Sequence, residues 1–191
     1  MIEGAAYDGT LTQRLRDERA TFGPPTDAAL EAWKALVERA ETRLRTLLSG
    51  HDLDRALVLL RPPSTGALPP ESRTSPVRVT HPAVRVLDDL LAWSEQLDRT
   101  AEPVHGLTIG EQVARWAHSA ARALNDVLRA LDPVDAAARS VRRVLDLASE
   151  LVHNALARIR EFARHLGVTS TSITFASTPP ELSITFTFGA P

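Results

Sequence analysis

The sequence predicts a mainly α fold: a helical bundle of four long helices with one or two short ones, followed by a small C-terminal β-hairpin. Three observations carry this. Apolar residues recur at alternating spacings of three and four over long proline-free stretches, Pro and Gly gather between those stretches, and after Gly167 the period falls to two. A chain of 191 residues is long enough to bury a sizeable core as one domain without disulfides.

Residues 1–25 read as a flexible arm carrying one short helix from Leu11 to Arg19. Thr10 and Gln13 have the spacing of a capping box, and Leu11 with Leu15 makes a weak stripe expected to dock only loosely. Residues 26–61 form the first helical segment of the bundle. Thr26 or Asp27 caps a helix to Ser49 with Leu30, Trp33, Val37, Ala40, Leu44 and Leu47 on one face, and Gly50 closes it. Asp52 then opens a short helix to Arg61 with Leu53, Leu57 and Leu60 inward, Ala56–Leu60 being also compatible with a buried strand.

Residues 62–80 hold Pro62, Pro63, Pro69, Pro70 and Pro76 among Ser, Thr and Gly. Proline removes backbone donors and favours extended conformations, so this segment reads as a crossover or linker. The remaining bundle helices occupy residues 81–166. Pro82 opens one to about Asp98 with Val84, Leu87, Leu91, Ser94 and Leu97 on its face, and Trp93 off centre. Glu102-Pro103 and Gly106 read as a turn. Thr108 and Glu111 then form a capping box for a helix to Leu131, striped by Ile109, Val113, Trp116, Ala120, Leu124, Val127 and Leu131. The longest stretch runs from Val134 to Leu166 behind an Asp132-Pro133 start, with Val141, Leu145, Ala148, Val152, Ala155, Ile159, Phe162 and Leu166 as a seam of coiled-coil period. Gly167 suits the left-handed residue that ends it.

Residues 167–191 form the hairpin. Thr169–Ala176 and Leu182–Phe188 are β-rich runs around a Ser177–Glu181 turn. Ile173 and Phe175 share one face of the first strand, and Leu182, Ile184, Phe186 and Phe188 one face of the second, the other face being almost all Ser and Thr. A lone two-stranded hairpin is marginal in water, so its apolar face must dock on the helices, join a sheet, or meet another copy.

Composition narrows the function. The absence of cysteine excludes disulfides, thiolate zinc sites and a Cys nucleophile. With 22 basic and 24 acidic residues, a net charge of −2 gives no global field toward nucleic acid or anionic lipid. Lys34 is the sole lysine, and the Arg, Ala, Leu and Pro usage suits a GC-rich genome, bacterial or phage. The start has no basic stretch leading into an apolar run, and no segment approaches the roughly 18 apolar residues of a membrane span. A cytoplasmic or virion location is expected, without membrane attachment.

Glu150 and His153 have the Glu-x-x-His spacing that di-iron bundles use for ligands, but the helical phase turns both toward solvent. The histidines lack a His-x-x-x-His pair or a nucleophile-elbow grouping, so no metal, cofactor or catalytic residue is assigned. The basic residues Arg139, Arg142, Arg143, Arg158, Arg160 and Arg164 lie off the seam of the long helix, interrupted by Asp146, Glu150 and Glu161. They read as a solvated face ahead of a nucleic-acid patch.

The stretch Glu150-Leu151-Val152-His153-Asn154-Ala155 resembles the N-box of the GHKL family of ATPases and histidine kinases. That resemblance implies Glu150 and Asn154 facing a nucleotide, with Asn154 on Mg²⁺. The likeness covers about fifty residues of helix and hairpin. Thr187–Pro191 supplies neither that family's glycine-box Asp nor its Gly-rich lid.

The expected function is a non-catalytic assembly or scaffold subunit that self-associates or binds a protein partner, with a phage or prophage source among the options. Its candidate interface is Ile173, Phe175, Leu182, Ile184, Phe186 and Phe188. The alternatives are a DNA-associated regulator using Arg-bearing helix faces and a degenerate GHKL-like nucleotide binder.

Overall fold

Helices account for most of the chain in a computed structural model, which describes residues 10–22, 27–60, 82–134, 136–177 and 180–188. In order these form α1 (Thr10–Ala20), α2 (Asp27–Leu47), α3 (Gly50–Leu60), α4 (Pro82–Arg99), α5 (Pro103–Ala130), α6 (Ala136–His165), β1 (Val168–Ser177) and β2 (Pro180–Phe188). The fold is mainly α with a C-terminal hairpin, as expected. The arm before Thr10, the proline-rich segment 62–80, the side chains of Leu30 and Trp33, and the hairpin tip at 178–179 lie outside the described residues.

The described chain divides into two compact units. One takes in the described residues of Met1–Asp17, Asp89–Ala121 and Asp146–Pro191. Its interior is built from Leu11 and Leu15 of α1, Leu90, Ser94 and Leu97 of α4, Val113, Ala114 and Ala117 of α5, and Ala148, Leu151, Ala155, Ile159 and Phe162 of α6, all buried. The expectation that α1 docks loosely is corrected, because both of its leucines are fully enclosed. Two leucines four residues apart suffice to bury one stripe of an 11-residue helix. Gln13 reaches forward to Asp17 at 2.8 Å instead of closing a box with Thr10.

Within this unit α5 begins at Pro103, five residues before the expected Thr108. Proline fits a first helical turn, where its missing N–H leaves no bond unmade. Thr108 is inside the helix, its hydroxyl bonding back to the Val104 carbonyl at 3.5 Å, so the capping-box reading fails. Gly106, expected in a turn, is a helical residue whose N–H bonds to the Glu102 carbonyl at 2.7 Å. A Cβ there would strike the Phe162 ring of α6, and one at Gly110 would come within 2.8 Å of Ile159 Cγ1. The glycines are therefore contact points, where a large α6 side chain sits against bare backbone.

The second unit takes in the described residues of Glu18–Asp88 and Arg122–Leu145. It buries Ala40 and Leu44 of α2, Ala56, Leu57 and Leu60 of α3, Val84, Val86 and Leu87 of α4, Leu124, Val127 and Ala130 of α5, and Ala138, Val141 and Val144 of α6. The Ala56–Leu60 stretch is helical, which removes the strand alternative. Gly50 adopts φ +57 where α2 gives way to α3, a left-handed conformation that a side chain would oppose. Leu47, assigned to the α2 stripe, is 49% exposed.

The α6 seam is only part of what that helix buries. Leu145 and Leu166 are half-buried, while Val144, Leu147 and Leu151 form a second buried row on one flank of the seam and Ala163 is buried on the other. A straight helix drifts by about 20° per heptad against a strict seven-residue repeat, so over 30 residues a narrow seam becomes a broad face. On α4 the same widening replaces Leu91 by the fully buried Leu90. Val134, expected in the long helix, is 77% exposed just before it, its N–H bonded to Asp132 Oδ1 at 3.2 Å in a cap-like turn. Gly167 ends α6 with φ +74, as its sequence context predicts.

Candidate interaction surface

Strands β1 and β2 pair antiparallel, with Thr171 opposite Phe186, Ile173 opposite Ile184 and Phe175 opposite Leu182. Directly opposed residues share a face, so the register gathers Ile173, Phe175, Leu182, Ile184 and Phe186 on one side. A bulge between Val168 and Ser170 pairs Val168 with Phe188, bringing a further apolar side chain to the open end of that face. Thr169 marks the bulge, its hydroxyl bonded to the Thr187 carbonyl at 3.0 Å. The other side presents the exposed hydroxyl pairs Ser170–Thr187, Ser172–Thr185 and Thr174–Ser183.

The apolar face is covered unevenly. Leu182 is buried at 3% exposure, and Phe175 stacks obliquely on His118 of α5 with ring centroids 4.9 Å apart. Ile173, Ile184 and Phe186 are half-buried. Phe175 remains 48% exposed and Phe188 61%. The hairpin thus rests on its own unit through Leu182 and one side of Phe175, and leaves aromatic area exposed at Phe175 near its tip and at Phe188 at the other end. Among the described residues the sheet has two strands, so each has an edge with no strand beside it.

The polar face of α6 holds the other sequence candidates. Glu150 accepts from Arg14 Nη1 on α1 through both carboxylate oxygens, each at 2.7 Å. His153 is exposed, its Nδ1 2.7 Å from the Ser149 carbonyl, and Asn154 is half-buried. Glu150 is engaged by an arginine while His153 meets backbone, and among the described residues no group of three or more His, Asp or Glu could hold a metal ion. Of the arginines along α6, Arg143 pairs with Glu18 at 3.2 Å and Arg158 with Glu161 at 2.9 Å, Arg158 lying also over the Phe162 ring at 5.6 Å. Arg139, Arg142, Arg160 and Arg164 are exposed. Trp93 and Trp116 meet at 6.3 Å between centroids, half-buried anchors of the first unit.

Two polar clusters had no sequence signature. Beneath α1, Thr12 and Ser94 are buried and their hydroxyls lie 2.6 Å apart, while Thr12 Oγ1 donates to Asp98 Oδ2 at 2.7 Å. Burial pushes the Asp98 carboxyl above its ordinary value, with the Arg158 charge opposing. At its rim, the hydrogen bond from Arg16 holds the Glu95 carboxyl below the usual range. In the second unit, burial and then the negative charge of Asp52 push Asp126 up, against Arg129, Arg122 and Arg55. That unit also has an open cavity of about 440 Å³ lined by Leu36, Arg39, Ala40, Arg43, Leu131 and Asp132. Arg43 donates across it to the Ala130 carbonyl at 3.3 Å. These groups lie far apart in sequence, so spacing rules for single helices do not detect them.

No protein-family model, curated protein or solved structure matches the chain. Among the described residues no helix is long and apolar enough to cross a membrane.

Proposed function

We propose that this chain is a non-catalytic assembly subunit that associates with a second copy, or with a protein partner, through its C-terminal hairpin. The observation that carries the reading is the uneven cover of the hairpin face, which leaves Phe188 61% and Phe175 48% exposed on a two-stranded sheet. Exposed aromatic area beside an unpaired strand edge is what strand addition and aromatic anchoring use. The strands carry no Lys or Arg that would discourage such pairing. Leu182, a member of the candidate interface, acts from within, holding the hairpin on its unit.

The test is solution mass by light scattering over a wide concentration range, for the full chain and for Phe188→Asp. The expected outcome is a defined oligomer for the first and a folded species of lower mass for the second, with unchanged helical circular dichroism. A full chain that stays monomeric and captures no partner through the hairpin ends the reading. Salt-dependent binding to duplex DNA, weakened by replacing Arg160 and Arg164, would instead support the regulator alternative.

A further inference from the structure

We propose that the Thr12–Ser94–Asp98 cluster is an acid-set latch, in which protonation of Asp98 tightens α1 on its seat and ionisation loosens it. This goes beyond hairpin association and stands independently of it.

An isolated 11-residue helix is below the length that holds itself together in water, so α1 persists through what it docks on. Its dock is Leu11 and Leu15, fully buried, with Thr12 of the polar cluster between them in sequence. The heavy-atom geometry serves both protonation states of Asp98. With the carboxylate ionised, Thr12 donates its single proton to Asp98 Oδ2, which requires Ser94 to donate to Thr12. With Asp98 protonated the direction reverses: the carboxyl donates to Thr12 and Thr12 donates to Ser94. No atom need move.

What differs is the cost of enclosure. Asp98 Oδ1 is buried with no hydrogen-bond partner among the described residues, so the ionised form keeps charge beside an oxygen that water would otherwise solvate. Lifting α1 hydrates it. The neutral carboxyl gains much less from that hydration, because its exposed oxygen would carry only a partial charge. The charged groups around the seat are otherwise committed. On α1, Arg14 holds Glu150 of α6 and Arg16 holds Glu95 of α4, each at 2.7 Å, and Asp17 takes Gln13. On α4, Arg99 also pairs with Glu95 at 3.0 Å. On α6, Arg158 is shared with Glu161 and favours the ionised Asp98, without overcoming the burial that raises its pKa.

The sign follows from linkage. The docked state binds the Asp98 proton more tightly than the open state, so this contribution to docking is complete below the ordinary aspartate range. It is lost as pH rises through the docked-state value. Glu95, held below its usual range, acts oppositely: its contribution is present above the ordinary glutamate value and fades as pH falls. Comparison with a variant at position 98 alone separates the two.

Hydrogen exchange of the α1 amides between pH 4 and 8, corrected for intrinsic rates, is the test, on the full-length wild type and on Asp98→Asn. In the wild type the α1 opening constant should rise with pH by up to about tenfold per pH unit across the titration, beyond any trend in Asp98→Asn. An equal pH trend in both proteins overturns the latch. Should Asp98→Asn not fold, an NMR titration of the Asp98 carboxyl decides. The expected result is a midpoint above that of ordinary aspartate in the wild type, returning toward it in Leu15→Glu, where α1 is displaced. Identical midpoints in those two proteins overturn the proposal.

Discussion

Two helix contacts within one unit are built on opposite principles. Where α5 meets α6, Gly106 and Gly110 give up their side chains so that Phe162 and Ile159 can sit on bare backbone. Where α1 meets α4, Thr12, Ser94 and Asp98 place hydroxyls and a carboxylate between buried leucines. The first contact is dry and gets its energy from close packing, which varies little with pH or salt. The second depends on partners that must all be present, and one of its oxygens has none among the described residues. A contact of shape resists change until a side chain no longer fits, whereas a contact of polar partners responds to protons.

Breaking the dry contact should have the larger effect. Gly106→Val puts branched carbon where the Phe162 ring already lies, and should cost roughly 3 kcal/mol in urea unfolding, more than the helix propensity of valine returns. Adding Phe162→Leu should recover part of that loss, because the smaller side chain vacates the site. A double variant no more stable than Gly106→Val alone would show that the glycine serves some other need. Thr12→Val leaves Asp98 and Ser94 without their shared hydroxyl and should cost about 1–2 kcal/mol. That cost should appear mainly as faster exchange of α1 amides with α6 protection retained. Uniform loss across both helices would mean that α1 and the α5–α6 contact open as one. The smallest effect is expected from Arg14→Ala at the exposed rim, below about 1 kcal/mol and fading with added salt.

The hairpin is intermediate between these contacts. Its tip end is held by Leu182 and by Phe175 against His118, while the end near Gly167 carries Phe188 in the open. Period-two alternation revealed its apolar face, and the bulge that adds Val168 to it escaped because strict alternation puts that residue on the other side. The interface candidates were therefore identifiable as a set, but their division into Leu182 inside and Phe188 outside was not. Alternation says which residues share a face and nothing about what lies against it.

By itself the sequence determined the class of the fold, the existence of its helices, the hairpin, and the left-handed stop at Gly167. All of these rest on short-range causes: side-chain periodicity, proline's missing donor, and glycine's tolerance of positive φ. The tertiary structure alone decided that α5 starts at Pro103, that Gly106 and Gly110 are seats for α6 side chains, and that α1 is enclosed above Thr12, Ser94 and Asp98. A glycine reads as a turn until a neighbouring helix fills the space its side chain lacks. Two leucines read as a weak stripe until other helices enclose them. Thr12 and Asp98 lie 86 residues apart, and only folding brings the hydroxyl to the carboxylate and removes the water that would have set its charge.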